Sequence, residues 1–253
     1  MRICFERVEA ELASRRATRA LARLKTAAET TRGPYEFATL LDHPAQSLEL
    51  RRGVLSDASA QTRKRIEEAS DAGGVDRHWG RLAFWRRRDL PLEQALALIR
   101  CDVLGLPAAY RTGDVHAPLG RTGYAAQFPP AESVPRDLLQ LANVRTAQPF
   151  AESIWNALLL YLLLLRVHPY ADGNGRAARA LLGVDLFRAG LLDDPNLPLK
   201  RTLDVNRATE MRLAVKVSRS AQCSLRTASA VSEYMCFVAD LVRRTIELAG
   251  RTP

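Results

Sequence analysis

Residues 157–179 read ALLLYLLLLRVHPYADGNGRAAR, and this stretch decides how the rest of the chain is interpreted. Its apolar part, residues 157–165, predicts a helix that is buried on all sides and is far shorter than the ~20 residues that cross a bilayer. Pro169 disfavours helical geometry at His168, so this helix is expected to end there. A loop should follow, and a second helix should begin near Gly175.

The loop between the two predicted helices combines a base with an anion-binding backbone. A neutral imidazole at His168 can accept a proton from a hydroxyl group near physiological pH. Gly173 and Gly175 allow positive φ and close approach of the backbone to a ligand, so that successive N–H groups converge on an anion. The positive end of the following helix lies at the same place, which predicts a phosphate site.

Charged side chains in the same loop extend this prediction to a nucleotide. Arg176 and Arg179 stand three residues apart on the first turn of the helix and can both reach one polyphosphate. Asp172 is a hard-oxygen ligand that could hold Mg²⁺ together with substrate phosphates, and Asn174 could cap the helix or donate to a phosphoryl oxygen. The alternative is a tight turn between helices, with a packed imidazole and solvated arginines.

The composition is that of a globular chain and excludes disordered and collagen-like classes. The protein has 253 residues, of which 47% are hydrophobic and 26% are charged, with a net charge of +9. Arginine accounts for 33 of the 37 basic residues. Such an excess suits phosphate-rich ligands, nucleic acid or acidic proteins, but the basic runs are scattered, which favours solvated helix faces. A nucleic-acid partner is therefore not expected.

Cysteine usage and the start of the chain favour a cytoplasmic protein. The cysteines are far apart and form no CxxC pair, which indicates neither a disulfide framework nor a zinc site; they are Cys4, Cys101, Cys223 and Cys236. Residues 1–7 become charged at once and lack the apolar core of a signal peptide. No membrane association is expected, and a role as a secreted effector stays open.

The remaining patterns predict a mostly α-helical chain with one small β element. Helices are expected at residues 6–30 as one long amphipathic helix, and at 58–69, 92–104, 134–143, 151–167, 175–189, 204–218 and 228–249. Gly190 should end the helix at residues 175–189. Closely spaced glycines and prolines between residues 107 and 123 predict a hairpin, and residues 71–74 are the best linker candidate.

Residues 168–179, HPYADGNGRAAR, resemble the HPFx(D/E)GNGRxxR signature of the Fic (filamentation induced by cAMP) family, with Tyr170 in place of phenylalanine. The resemblance implies an all-α fold, a Fic-type helical bundle with a small β-hairpin flap at about residues 109–127. It also implies a division into an N-terminal helical extension, residues 1–74, and a Fic domain, residues 75–253.

The same resemblance implies a reaction and a role for each motif residue. His168 would deprotonate a Ser, Thr or Tyr hydroxyl of a target protein, and Asp172 would hold Mg²⁺. Residues 173–175 would cradle the α- and β-phosphates of ATP, and Arg176 and Arg179 would neutralise the β- and γ-phosphates. AMP would be transferred to the target and pyrophosphate released, while the flap would align the target segment by backbone pairing.

The resemblance also raises the question of an inhibitory glutamate in this chain. Many family members carry an inhibitory glutamate, four residues after Ser or Thr, which pairs with the second arginine of the motif. In this chain only Glu233, with Ser229 before it, has that spacing, and Tyr234 follows it where Gly or Asn is usual. If Glu233 is not an inhibitor, either a separate antitoxin-like partner or secretion of the protein would explain how a cell tolerates this toxin-like enzyme.

Two other functions stay open at this point. The segment with Asn206 and Arg207 resembles the nucleoside side of the family site, but Glu210 and Met211 stand where aromatic residues are common. Phosphate contacts do not read the base, so transfer of UMP is one alternative. The other is a regulatory module that binds a nucleotide without turnover, although the base at His168 argues for catalysis.

Overall fold

The computed structural model describes residues 4–31, 90–118, 125–192, 195, 197, 199–219 and 225–249. The helix predicted at residues 58–69, the linker at residues 71–74 and the boundary between the two predicted domains lie outside the described residues.

The described part of the chain is mostly helical. The α-helices are α1 (Phe5–Leu12), α2 (Arg15–Thr31), α3 (Leu92–Leu98), α4 (Val134–Ala147), α5 (Ser153–Val167), α6 (Asn174–Arg188), α7 (Leu199–Val205), α8 (Arg207–Arg219) and α9 (Leu225–Ala249). A π-helical turn, Ile99–Val103, continues α3, and a 3₁₀ turn, Ala131–Ser133, precedes α4. Among the described helices, none has the length and apolarity needed to cross a membrane. The helical content of the described residues confirms the predicted all-α fold class.

Helix α5 forms the centre of the core, as its apolar sequence predicts. Leu158, Leu159 and Leu164 are completely buried, and Tyr161 is nearly so. Helix α6 packs along α5, and α9 contacts α5 as well as α1, α2, α7 and α8. Because side chains around the whole circumference of α5 are buried, truncating any of these leucines to alanine should remove about 2–5 kcal/mol of stability.

The N-terminal segment departs from the single long helix that the sequence predicts. The helix breaks at Ala13 and Ser14, so that α1 and α2 are separate. The hydroxyl of Ser14 accepts a hydrogen bond from the Ala17 N–H at 3.4 Å, which starts α2 with a local side-chain contact. Both helices bury apolar residues in the common core, including Val8 and Leu24.

Other helix bounds differ where polar residues compete with the helix. The helix predicted at residues 204–218 is α8, which begins at Arg207, and α7 before it was not predicted. Asn206 separates the two, and its side chain donates to the Thr202 carbonyl oxygen at 2.8 Å. The helix predicted at 134–143 extends to Ala147, and Gln148 follows it with φ of 44°. The end of α6 agrees with the prediction, since Gly190 follows it with φ of 73°.

Two three-residue strands form the β element. Strand β1 (His116–Pro118) pairs antiparallel with β2 (Ala125–Gln127), with His116 opposite Gln127 and Pro118 opposite Ala125. The residues that join them, 119–124, lie outside the described residues. The function of this pair as a flap stays a prediction.

Candidate functional site

The loop that carries the predicted base begins where the sequence places it. Helix α5 ends at Val167, and His168 adopts a left-handed conformation with φ of 51°. Its backbone N–H still donates to the Leu164 carbonyl oxygen at 3.0 Å, so the residue terminates the helix while its side chain turns into the loop.

The imidazole of His168 is held as a neutral base. Its Nδ1 lies 3.2 Å from the Leu165 carbonyl oxygen, which can only accept, so Nδ1 carries the proton and Nε2 is the acceptor. The ring of Phe128 stacks on it, with centroids 3.7 Å apart and an interplanar angle of 19°. Burial lowers the pKa of His168, and the nearby charge of Arg111 acts in the same direction. The ring is therefore neutral near pH 7.

Asn174 closes the loop instead of capping the helix. Its side chain is 3% exposed; Oδ1 accepts from the Tyr170 N–H at 2.9 Å, and Nδ2 donates to the Tyr170 carbonyl oxygen at 2.7 Å. The N-cap residue of α6 is Gly173, and it has no side chain to make a capping bond. The predicted capping role of Asn174 is therefore wrong, because both ends of its amide are bonded to one residue of the loop.

The two glycines of the loop serve different purposes. Gly173 has φ of 79°, and a Cβ there would lie 2.6 Å from Arg100 Nη1 and 2.8 Å from Leu106 Cδ1. Gly175 lies inside α6 and has no positive φ, so that part of the prediction is wrong for it; an added Cβ would lie 3.3 Å from Arg179 Nη1. Close packing of arginine around the loop explains both glycines.

The start of α6 is where the sequence predicts an anion site, and the binding of an anion there stays a prediction. The first-turn N–H groups of a helix have no intrahelical acceptor, and the helix dipole adds partial positive charge to them. Asn174, Gly175 and Arg176 are the first three residues of α6. A phosphate group in front of this end would meet their backbone N–H groups and the side chain of Arg176 together.

Asp172 and Arg176 form an ion pair across the mouth of this site. The Arg176 Nη2 lies 2.6 Å from the Asp172 Oδ2, and the side chains are 13% and 80% exposed, respectively. Among the described residues, no three metal-ligating side chains come together. A single exposed carboxylate fits Mg²⁺ that is held mainly by phosphate and water oxygens, so Asp172 is the residue that would bind it.

Arg179 faces a second group of polar residues, deeper in the fold. Its positive charge acts on Glu210 of α8 and on the hydroxyl of Tyr161 of α5. Glu210 is 7% exposed and accepts from Arg207 Nη1 at 2.8 Å; burial nevertheless raises its pKa. The site thus brings Arg179 close to Glu210, which belongs to the segment predicted to lie at the nucleoside side.

Arg100 was not predicted as a site residue, yet it fixes the loop. Its Nη1 donates to the Asp172 carbonyl oxygen at 2.7 Å, and its Nε and Nη2 donate to the Pro107 carbonyl oxygen at 3.0 and 2.9 Å. The guanidinium lies 4.0 Å from the ring centroid of the buried Tyr170. Arg100 belongs to the π-helical turn, and the apolar spacing of that segment carried no signal for this role.

Arg111 joins the loop to the base of the strand pair. It is 5% exposed, and its guanidinium donates to three carbonyl oxygens, those of His168 (2.8 Å), Gly113 (3.2 Å) and Pro129. Its own backbone N–H donates to the Pro169 carbonyl oxygen at 2.9 Å. The sequence placed Arg111 in the predicted flap but assigned it no role, since its partners are distant along the chain.

The predicted inhibitory pair lies on α9, away from these contacts. Glu233 forms an ion pair with Lys216 of α8. The hydrogen bond from Lys216 lowers the pKa of Glu233, and the charges of Arg16 and Arg212 act in the same direction. Ser229 precedes it by one helical turn. An inhibitory role for Ser229 and Glu233 stays a prediction, and the ion pair with Lys216 gives it no support.

Residues 89–184, which contain the loop and the first eleven residues of α6, match the Fic/DOC family. The fold is similar to that of a Fic family protein from Desulfovibrio desulfuricans G20, with 17% identity and a TM-score of 0.65 over 95% of this chain and 77% of that one. It is also similar to a Fic domain containing signaling protein from Bacteroides thetaiotaomicron VPI-5482, with 17% identity and a TM-score of 0.59 over 92% and 96%. At this identity the likeness shows the fold alone. No curated protein matches the chain.

Proposed function

From the Fic/DOC match of residues 89–184, we propose that this protein is a protein adenylyltransferase. It transfers AMP from Mg-ATP to a Ser, Thr or Tyr hydroxyl of a target protein and releases pyrophosphate. The observation that carries the proposal is the neutral imidazole of His168 in the same short loop as the N-terminus of α6. A base beside an anion-binding helix end is what transfer of a phosphate-linked group to a hydroxyl requires.

His168 removes the proton from the attacking hydroxyl. The target oxygen forms a bond with the α-phosphorus of ATP, the bond from that phosphorus to the bridging oxygen breaks, and pyrophosphate leaves. The target proton moves to Nε2 of His168. The hydrogen bond from Nδ1 to the Leu165 carbonyl oxygen holds the ring in place and stabilises the positive charge that it gains.

The start of α6 and its arginines bind the phosphates. The first-turn N–H groups of α6 face the α- and β-phosphates, and Arg176 and Arg179 compensate the charge of the β- and γ-phosphates. Asp172 would hold Mg²⁺, which supplies further positive charge to the triphosphate. Because Asp172 and Arg176 bind each other in the structure, nucleotide binding requires both side chains to exchange partners.

The strand pair positions the target. Arg111 bonds the carbonyl oxygen of His168 to those of Gly113, before β1, and Pro129, after β2. A target segment that pairs with the edge of β1 or β2 would therefore lie in a fixed relation to the base. We further propose that the enzyme acts in the cytoplasm and that a separate antitoxin-like partner restrains it.

Labelling followed by mass spectrometry tests the proposal. The purified full-length protein, His168→Ala and His168→Asn are incubated with Mg²⁺ and each nucleoside triphosphate, with and without cell lysate, and intact and peptide masses are read. Only the unsubstituted protein should add AMP, since both variants lack the base. His168→Asn is the matched control because its amide retains a donor for the Leu165 carbonyl oxygen. Both variants should still bind ATP.

Other outcomes would replace the proposal with its alternatives. Addition of UMP that depends on His168 would make the protein a uridylyltransferase with the same phosphate site. ATP binding without any adduct would favour a nucleotide-binding regulatory module. Loss of ATP binding in His168→Asn would mean that His168 maintains the loop instead of acting as the base.

A further inference from the structure

A second concentration of arginine is contributed by three helices that do not carry the loop residues. Helices α2 and α8 form its walls and α9 its floor, with a cavity volume of about 700 Å³. We call it the arginine cleft. Its arginines are Arg15, Arg16, Arg19 and Arg23 of α2, Arg212 of α8, and Arg243 and Arg244 of α9. The other residues that line it are Ala20, Thr209, Leu213, Glu233, Cys236, Phe237 and Asp240.

The spacing along the helices explains why the arginines meet. Arg15, Arg19 and Arg23 are four residues apart and therefore lie on one face of α2. On α9, the lining residues from Glu233 to Arg244 recur every three or four positions and extend over about 16 Å. Helix α2 packs along α9, so that the arginine face of one helix borders the lining face of the other.

The positive charge of the cleft is poorly compensated. Of its two acidic residues, Asp240 pairs with Arg243 and Arg244, and Glu233 pairs with Lys216. Across the described ranges, the other five arginines of the cleft form no ion pair with a carboxylate. The charges of Arg16 and Arg212 also act on Glu233, but in the described lining seven arginines share only two carboxylates. The guanidinium groups therefore repel one another, and a multiply charged anion would relieve that repulsion.

We propose that the arginine cleft binds a small, multiply phosphorylated molecule. Guanidinium groups bind phosphate oxygens in pairs of parallel hydrogen bonds, and several groups in one cleft favour several phosphates. The volume is that of a small-molecule site. Surfaces for single-stranded nucleic acid need successive aromatic platforms, and Phe237 is the one aromatic residue in the lining of this cleft.

This site is separate from the one proposed to bind ATP. The lining of the cleft comes from α2, α8 and α9, whereas the loop joins α5 to α6, and the two sets share no residue. Glu210, Tyr161 and Tyr234, which interact with one another electrostatically and are buried, are not part of the lining of the cleft. Binding at the cleft can therefore be tested independently of adenylyl transfer.

Calorimetric titration with inorganic triphosphate tests the proposal. The full-length protein is compared with Arg176→Gln/Arg179→Gln, which weakens the loop site, and with the same variant carrying Arg16→Gln and Arg19→Gln in addition. The loop variant should retain one binding site. Loss of the two cleft arginines should weaken that site at least about tenfold, since each contact is charge-assisted. The residual binding should also weaken as salt is raised.

A matched control separates a local effect from a change in net charge. Arg136 and Arg226 are exposed and lie outside the cleft, so Arg136→Gln/Arg226→Gln in the loop variant removes the same charge and should leave triphosphate binding unchanged. If Arg16→Gln/Arg19→Gln fails to fold, Arg212→Gln on the opposite wall provides the same test. Unchanged binding in the cleft variants would overturn the proposal. So would binding of a single-stranded oligonucleotide without binding of triphosphate.

Discussion

The loop after α5 and the arginine cleft both concentrate arginine, but they use it in opposite ways. Arg100 and Arg111 are buried, and their guanidinium groups donate to backbone carbonyl oxygens. Arg16 and Arg19 of the cleft are exposed and form no ion pair with a described carboxylate. A buried arginine bonded to carbonyl groups thus fixes the backbone, whereas an exposed arginine that pairs with no described carboxylate is available to a ligand.

Arg111→Met should have the largest effect on stability. The substitution keeps an apolar side chain of similar length but leaves the carbonyl oxygens of His168, Gly113 and Pro129 without their donor. A buried acceptor left unbonded costs about 1–3 kcal/mol; His168 and Pro129 are partly buried, whereas Gly113 is exposed and its carbonyl oxygen can bond to water. The free energy of unfolding should therefore fall by about 2–4 kcal/mol. Urea denaturation of the full-length protein measures it. A loss below about 1 kcal/mol would contradict the structural role of Arg111.

Gly173→Ala should have the second largest effect on stability, a loss of about 2 kcal/mol or more in the free energy of unfolding. Alanine at φ of 79° is strained, and its Cβ would displace Arg100 and Leu106. Gly113→Ala is the matched control, because a Cβ at Gly113 meets nothing within 4 Å. Equal losses in the two variants, measured by urea denaturation, would show that Arg100 does not enforce the glycine.

Phe128→Ala should change the pKa of His168 more than it changes the free energy of unfolding. Burial is the main reason that the pKa of His168 is low, and removing the stacked ring admits water, so the pKa should rise towards its ordinary value. The neutral fraction of His168 at mildly acidic pH then falls, and the low-pH limb of the proposed AMP transfer should move to higher pH. NMR titration of the histidine ring protons, assigned with His168→Asn, measures the shift. An unchanged or lower pKa would contradict burial by Phe128 as its cause.

Arg19→Gln in the cleft should have the smallest effect on stability. The side chain is exposed and has no described carboxylate partner, so the free energy of unfolding should change by less than about 0.5 kcal/mol. Any change in the free energy of unfolding at low salt should be an increase, because one repelling charge is removed. This increase should diminish as salt is added. Urea denaturation at two salt concentrations measures both. A loss comparable to that of Arg111→Met would abolish the distinction between the two regions.

The sequence predicts best where partners are near along the chain. The apolar run of α5, Pro169 after His168 and Gly190 after α6 are local signals, and the structure has the corresponding helix ends. The ion pair between Asp172 of the loop and Arg176 of α6 is also a local contact, but it was not predicted from the sequence.

Prediction fails where a contact is distant or where a polar side chain competes with the helix. Arg100 and Arg111 meet carbonyl groups 72 and 57 residues away, and no local pattern distinguishes them from the other arginines. The break at Ser14 coincides with a local contact, the 3.4 Å hydrogen bond from the Ala17 N–H to the Ser14 hydroxyl, which helix propensity does not include. The amide of Asn174 turns back to Tyr170 for the same kind of reason.

The ion pair between Asp172 and Arg176 has a consequence for selectivity. Asp172 is largely exposed, so separating the pair costs no more than about 1 kcal/mol in water. A ligand that carries only negative charge pairs with Arg176 but leaves Asp172 without its partner. The Asp172 carboxylate then repels the ligand. A ligand that brings a cation together with its phosphates gives each separated side chain a new partner of opposite sign. At the proposed phosphate site, the pair would therefore favour a metal-bound polyphosphate over a metal-free one without any additional residue.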